Sequence, residues 1–261
     1  MSKEWNATVY HRVSAPQVSW GKKVLARISL RGDETVLDAG CGTGRLTRDL
    51  LEALPRGHVV ALDVSQNMLD AARDYLTPDF GDRVEFVLCD FLHMPFEARF
   101  DGIFSTASFH WVRDHEALFR MLYRALHPGG WLCAQCGGAG NLDRFLPGVK
   151  ALMASPAYSP FFHDFESPWE FSDASTAAAR LKHAGFEAVE TNLEEAPTQF
   201  STPQEFQQFV ANVILHRQLE RLPTAELRES FVSAVTSKSA KDDPPLLLDY
   251  WRLNLQARKP G

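Results

Sequence analysis

The chain contains no run of about 18 consecutive apolar residues, so no stretch of it has the length to cross a bilayer as a helix. Its start, Met1-Ser2-Lys3-Glu4-Trp5-Asn6, lacks the apolar core of a secretion signal. Cysteine is sparse. Cys41, Cys89, Cys133 and Cys136 are the four in 261 residues, and they read as small buried hydrophobes of a reducing compartment. A cytoplasmic location is therefore expected. Cys133-Ala134-Gln135-Cys136 has the gap of a metal pair. No second pair exists, and on a strand the two side chains would point to opposite faces, so no metal site is expected. An excess of base is also missing. Lys and Arg number 27 against 33 Asp and Glu, a net charge of −6, which argues against a nucleic-acid-wrapping surface. Internal repeats and low-complexity segments are absent.

What the chain does have is 45% apolar residues, enough for one large core or a domain with a subdomain. It is organised around Thr35-Val36-Leu37-Asp38-Ala39-Gly40-Cys41-Gly42-Thr43-Gly44. Residues 35–39 read as a strand, the glycines as a tight turn, and residues 44–54 as a helix with Leu46, Leu50 and Leu54 on one face. Strand, glycine turn and helix open a nucleotide-type βαβ unit. The spacing is Gly-x-Gly-x-Gly rather than the dinucleotide Gly-x-Gly-x-x-Gly, with Asp38 two positions before the first glycine. A pyrophosphate wants backbone N–H groups and a helix N-terminus, and a carboxylate beside it would repel it. S-adenosylmethionine (SAM) carries no phosphate, and its ammonium and sulfonium groups are positive, so a carboxylate here suits it.

Two further predicted strands end in acids. Residues 58–63 form an apolar run closed by Asp63, placed to accept both ribose hydroxyls. Ser65 is placed to cap the next helix, with Met68, Leu69 and Ala72 facing inward. Residues 84–91 form a third strand carrying Asp90 and Phe91. Three acids at successive strand ends would line one edge of one sheet, where ligands of open α/β sheets bind.

These residues resemble motif I and its companions in the class I SAM-dependent methyltransferases. The resemblance implies a cofactor set of Asp38, Gly40, Cys41, Gly42, Gly44, Asp63, Val64, Met68, Asp90, Phe91 and Ser105. In it Val64 and Met68 lie near the adenine, Asp90 accepts from its amino group, and Phe91 packs beside it. S-adenosylhomocysteine (SAH) would be the product. After a fourth strand, residues 100–105, comes Thr106-Ala107-Ser108-Phe109-His110-Trp111. The small residues would let the backbone approach the sulfonium. The Asn/Asp-Pro-Pro-Tyr run of many base methylases is absent, so a nucleic-acid partner is not expected. The order small-small-small-Phe-His-Trp, and the Trp5-Asn6-x-x-x-Tyr10 pattern, resemble the trans-aconitate methyltransferase group. His110 and Tyr10 are the candidates to orient or deprotonate an acceptor, His110 having a structural hydrogen-bonding role as its alternative.

The predicted fold is α/β: a Rossmann-like, seven-stranded, mostly parallel sheet with a helical cap inserted between strands 6 and 7. Residues 115–126 read as a helix, followed by His127-Pro128-Gly129-Gly130 and a strand at 131–135. Residues 1–30 would form a helical arm over the cofactor, and residues 31–196 the SAM-binding core, with 141–170 as a cap segment. Residues 197–247 would be a helical insert built from helices at 203–222 and 224–238. Residues 248–261 would return a strand to the sheet. The expected activity is methyl transfer to a small, carboxylated acceptor, in a monomer or homodimer. Methylation of a quinone precursor or other natural product, and a SAM-binding protein without turnover, are the alternatives. An NAD oxidoreductase is disfavoured by Asp38 and the glycine spacing.

Overall fold

The computed structural model describes Glu4, Trp5, Ala7 and residues 15–261. Asn6 and Tyr10 therefore lie outside the described residues. The chain divides into two compact units, one of residues 1–139, 169–194 and 252–261 and one of residues 140–168 and 195–251.

In the first unit the sheet has seven strands in the order β3-β2-β1-β4-β5-β9-β6. They are β1 (Thr35–Ala39), β2 (His58–Asp63), β3 (Val84–Leu88), β4 (Phe100–Thr106), β5 (Leu126–Gly137), β6 (Glu187–Glu195) and β9 (Trp251–Arg258). The pairs β1–β2, β2–β3, β1–β4 and β4–β5 are parallel, and β9 runs antiparallel to β5. The chain winds outward from β1 through β2 to β3, then crosses back to place β4 on the other side of β1. That reversal opens a crevice at the carboxyl ends of β1 and β4.

The strands are apolar on both faces because both are covered. Val36, Val59, Phe104 and Cys133 pack with Val24 of α1 (Ala15–Leu25), Leu50 and Leu51 of α2 (Arg45–Ala53), and Leu69, Ala72 and Leu76 of α3 (Gln66–Phe80). Leu37, Val60, Ile103 and Cys136 pack on the other side with Leu118, Phe119 and Leu122 of α4 (His115–Ala125). Adjacent strand residues thus go to opposite layers, and Cys133 and Cys136 sit in different ones as free thiols. Each fully buried Leu or Phe adds about 1.5–3 kcal/mol of transfer free energy.

The strand at 84–91 ends at Leu88. Asp90 lies beyond it, its carboxylate accepting from Leu92 N at 2.9 Å to cap a 3-10 turn. Pairing of β5 begins at Leu126 rather than Trp131, across an irregularity between Phe100 and Gly102. The polar side of β9 is buried too. Arg252 lies over the Trp20 ring at 4.7 Å, and Asn254 accepts from Gln135 Nε2 at 2.8 Å. Contacts of this kind let an alternating pattern serve as a strand covered on both faces.

The second unit holds α5 (Leu146–Met153), α6 (Ser159–Phe162), α8 (Pro203–Phe209), α9 (His216–Arg221) and α10 (Ala225–Ser239), with a ribbon of β7 (Thr198–Gln199) and β8 (Leu247–Leu248). The helix α7 (Ala174–His183), capped by Asp173, belongs to the first unit. The sequence attached 141–170 to the core. Its aromatics instead find partners after strand 6: Tyr158 meets Phe231 edge-on at 5.0 Å, and Phe145 meets Phe206 at 6.0 Å. The single helix expected over 203–222 is interrupted by a π turn, Val210–Ile214. The wider turn advances the buried stripe by one position, so Val210, Ile214, Leu215 and Leu222 are buried and Val213 and Leu219 are not. Among the described residues no helix is long and apolar enough to cross a membrane.

Candidate functional site

The loop after β1 needs left-handed backbone at three glycines, Gly40 (φ +86°), Gly42 (φ +55°) and Gly44 (φ +81°). Gly40 N and Cys41 N both donate to the Leu62 carbonyl, at 2.8 and 3.0 Å, which ties the loop to the end of β2. A Cβ on Gly40 would overlap Ser108 Oγ and Cβ in the turn after β4, whereas at Gly42 nothing lies within 4 Å of that position. The loop is closed on one side and open on the other.

The open side gives onto two cavities that share Gly40, Gly42, Thr106 and Ala107. The larger, about 220 Å³, is lined also by Trp5, Asp63, Val64, Met68, Asp90, Phe91, Leu92, Ser108, Trp111, Val112 and Arg113. The smaller, about 50 Å³, is lined also by Gln17, Asp38, Cys41, Thr43 and Arg45. Ala107, a non-glycine residue at φ +55°, borders both. Strain of this kind persists where the surroundings over-determine the backbone, as at ligand sites.

Each acid is held differently. Asp63 accepts from Gly42 N at 2.9 Å and Ser65 N at 3.0 Å. Burial pushes its carboxyl up, and these N–H groups oppose the shift. Asp38 is 2% exposed and accepts from Thr47 Oγ1 at 2.6 Å. Burial raises its carboxyl to about 7; the Thr47 hydroxyl opposes that and the Asp63 charge adds to it. Asp90 stays half exposed at the rim. Burial raises the Cys41 thiol well above its ordinary value, which keeps it neutral.

Of the residues chosen from sequence, Gly40, Gly42, Asp63, Val64, Met68, Asp90 and Phe91 line the larger cavity, and Asp38 and Cys41 the smaller. Ser105, Gly44 and His110 line neither. Ser105 is buried and donates to the Ala39 carbonyl at 2.6 Å, bracing β1 against β4. Gly44 lets α2 approach α3, since a Cβ there would press on Leu76 Cδ1 at 2.8 Å. His110 Nδ1 accepts from Gly137 N at 3.3 Å. With Nδ1 used as acceptor, the neutral ring carries its hydrogen on Nε2, which makes it a donor there and not a base. Tyr10 lies outside the described residues.

Sequence reasoning missed Thr47, Glu4 and Gln17. Thr47 stands in the first turn of α2, nine residues after Asp38, a placement that could have paired the two. Glu4 accepts from Ser65 Oγ (3.1 Å), Gln66 N (3.3 Å) and Asn67 N (3.1 Å), at the positive end of α3. That clasp sits beside Trp5, which meets Trp111 edge-on at 5.5 Å. Nothing in the local pattern marks Gln17. Among the described residues no group of three or more His, Cys, Asp or Glu gathers as metal ligands would.

The donor set suits SAM. Asp63 offers carboxylate oxygens for a ribose diol, and Asp90 one for an amino group. Asp38 faces the small cavity with α2, whose N-terminus has no side-chain cap. That pairing matches an α-amino acid, ammonium to the carboxylate and carboxylate to the helix end.

Comparison with known proteins agrees. A family model described as "Methyltransferase domain" matches residues 36–130. An uncharacterized methyltransferase of Schizosaccharomyces pombe is 27% identical over 98% of this chain and 98% of its own length. A trans-aconitate 2-methyltransferase of Acidovorax ebreus is 36% identical over 54% of this chain and 52% of its own. The chain thus matches about half the length of that relative. In fold, a Haemonchus contortus phosphoethanolamine N-methyltransferase 2, solved with SAH, superposes with a TM-score of 0.64 at 20% identity, over 98% of this chain and 57% of that one. These matches support a class I SAM-dependent methyltransferase.

Proposed function

We propose that the protein transfers the methyl group of SAM to the carboxylate of a small organic acid, trans-aconitate being the model acceptor. The observation that carries this reading is the state, among the described residues, of the His110 imidazole, next in the chain to the cavity residue Trp111. His110 takes a backbone hydrogen at Nδ1, so in its neutral form the other hydrogen sits on Nε2 and the ring is no base. Among the described residues, the ionisable side chains lining the larger cavity are Asp63, Asp90 and Arg113, none of them an ordinary base for a phenol or a carbon acid. A carboxylate arrives already deprotonated and needs no base. The trans-aconitate relatives support the same choice.

When bound, SAM supplies a methyl group already activated on a positive sulfur. The chain's own work is then placement and exclusion of water. Asp63 holds the ribose end. Thr106, Ala107 and Ser108 let the backbone come close beside it. Trp111, in the cavity wall, shields the acceptor, and the His110 ring packs against the Trp111 ring at 5.3 Å. The His110 ring is itself set in place by Gly137 N at Nδ1 and by Phe171, 6.0 Å from ring to ring.

The test uses methyl-labelled SAM, purified protein and a panel of small acids that includes trans-aconitate, with a quinone precursor beside them. Label that transfers to an acid and leaves as methanol in mild alkali supports the ester. Alkali-stable label on the quinone precursor or on carbon contradicts it.

A further inference from the structure

Among the described residues, the wall of the smaller cavity carries a polar atom without a hydrogen-bond partner. Gln17, near the start of α1, is 8% exposed, and its Oε1 accepts no hydrogen bond among the described residues. A buried carbonyl oxygen in that state is destabilising unless something donates to it. Gln17 borders the same cavity as Asp38. The cavity wall therefore carries two oxygen acceptors from different elements, α1 and β1, one neutral and one acidic. Arg45 and the uncapped N-terminus of α2 supply positive character on the same cavity.

We infer that Gln17 is a cofactor-binding residue whose Oε1 accepts a hydrogen from the ammonium group of the SAM amino-acid end, which Asp38 accepts from as well. An ammonium has three hydrogens to place, and a single carboxylate in a dry pocket leaves some unplaced. A neutral amide oxygen completes the set without adding a second negative charge beside Asp38 and Asp63. The same reasoning explains why an orphaned acceptor is tolerated in the protein alone. Its cost is removed when the ligand enters, so it favours the bound state. The role lies with α1, which precedes the glycine loop, so the amino-acid end would be read by a segment that no loop motif includes.

The experiment measures dissociation constants by calorimetry, variant against wild type, for three ligands that differ at this end, decarboxylated SAM carrying the sulfonium methyl besides. SAH keeps ammonium and carboxylate. Decarboxylated SAM keeps the amine alone. 5′-Methylthioadenosine has neither. Gln17→Met keeps length and apolar fit and removes the oxygen. The expected result is a loss of about tenfold or more for SAH and for decarboxylated SAM, with 5′-methylthioadenosine changed by less than about twofold. The melting temperature of the unliganded Gln17→Met protein should equal or exceed that of the wild type, because an unmet acceptor has gone. Gln17→Glu keeps an oxygen in place and should retain SAH binding. Equal losses on all three ligands, or no loss on SAH, would overturn the assignment. Wild-type protein that fails to bind SAH at all would overturn the cofactor reading itself, a result visible before any variant is made.

Discussion

The glycine-loop half of the first unit and the whole of the second unit are built on different principles. Around residues 35–93 the structure is dictated by backbone: strand ends, left-handed glycines, and N–H groups aimed at Asp63 and the Leu62 carbonyl. In residues 140–168 and 195–251 it is dictated by side-chain shape. Aromatic pairs such as Tyr158 with Phe231 hold short helices together, and a π turn sets the register. A site made of backbone demands particular residue types at particular spacings. A core made of interlocking side chains can be met by many sequences.

The largest effect should come from breaking the backbone-built half. Gly40→Ala places a methyl group on Ser108 and in a left-handed conformation, and should abolish SAH binding in calorimetry. Gly42→Ala has open space at the same test and should cost only about 1–2 kcal/mol from its positive φ. Equal behaviour of the two would mean that loop closure on Ser108 is unimportant. Next comes the shape-built unit. Phe231→Ala empties a fully buried ring position and should destabilise by about 3–5 kcal/mol in urea unfolding, whereas Phe231→Leu should cost much less. A third variant, Asp63→Ala, should weaken SAH by about 1–3 kcal/mol through lost charge-assisted bonds, read by calorimetry. Unchanged affinity would remove the ribose assignment.

The pH dependence is a smaller, graded test. Asp38 titrates at about 7 in the folded protein against about 3.9 for an unfolded chain. A carboxyl raised in this way binds its proton more tightly when folded. Its contribution to stability is full below about 4 and is lost as pH rises through about 7, with a slope of at most about 1.4 kcal/mol per pH unit. Asp63, also raised, adds the same sign, while Glu34 and Glu170, both lowered, act oppositely at lower pH. Asp38→Asn should flatten the upper part of the unliganded stability profile measured by urea midpoints. Saturating SAH should flatten it too, because its ammonium favours the charged carboxylate. An unaltered profile in the variant would mean that Asp38 does not titrate there.

The same contrast explains what could be read from sequence. β1 and β2 were legible to the residue, because a strand buried on both faces and closed by an acid leaves few alternatives. Ser65 was legible as a cap, and it accepts from Met68 N at 3.3 Å. The end of β3 was not, because Cys89-Asp90-Phe91 continues the apolar run while Asp90 turns to cap its own backbone. The Val210–Ile214 π turn was hidden because a helical pattern read at one fixed period cannot show an inserted residue. Ser105 looked like part of the site from its place at a strand end; the Ala39 carbonyl claims its hydroxyl instead. His110 looked like a base by type, and only the Gly137 N–H shows which nitrogen holds the hydrogen. Gln17 was out of reach because its interest lies in an oxygen left unmet among the described residues, which no residue pattern marks.

The central claim is that acids at strand ends, rather than a phosphate-binding helix, define this cofactor site. Calorimetric titration of the wild-type protein with SAH and, separately, with NAD tests it most directly. One-to-one binding of SAH with no heat from NAD is the predicted result. Binding of NAD, or displacement of SAH by it, would contradict the account.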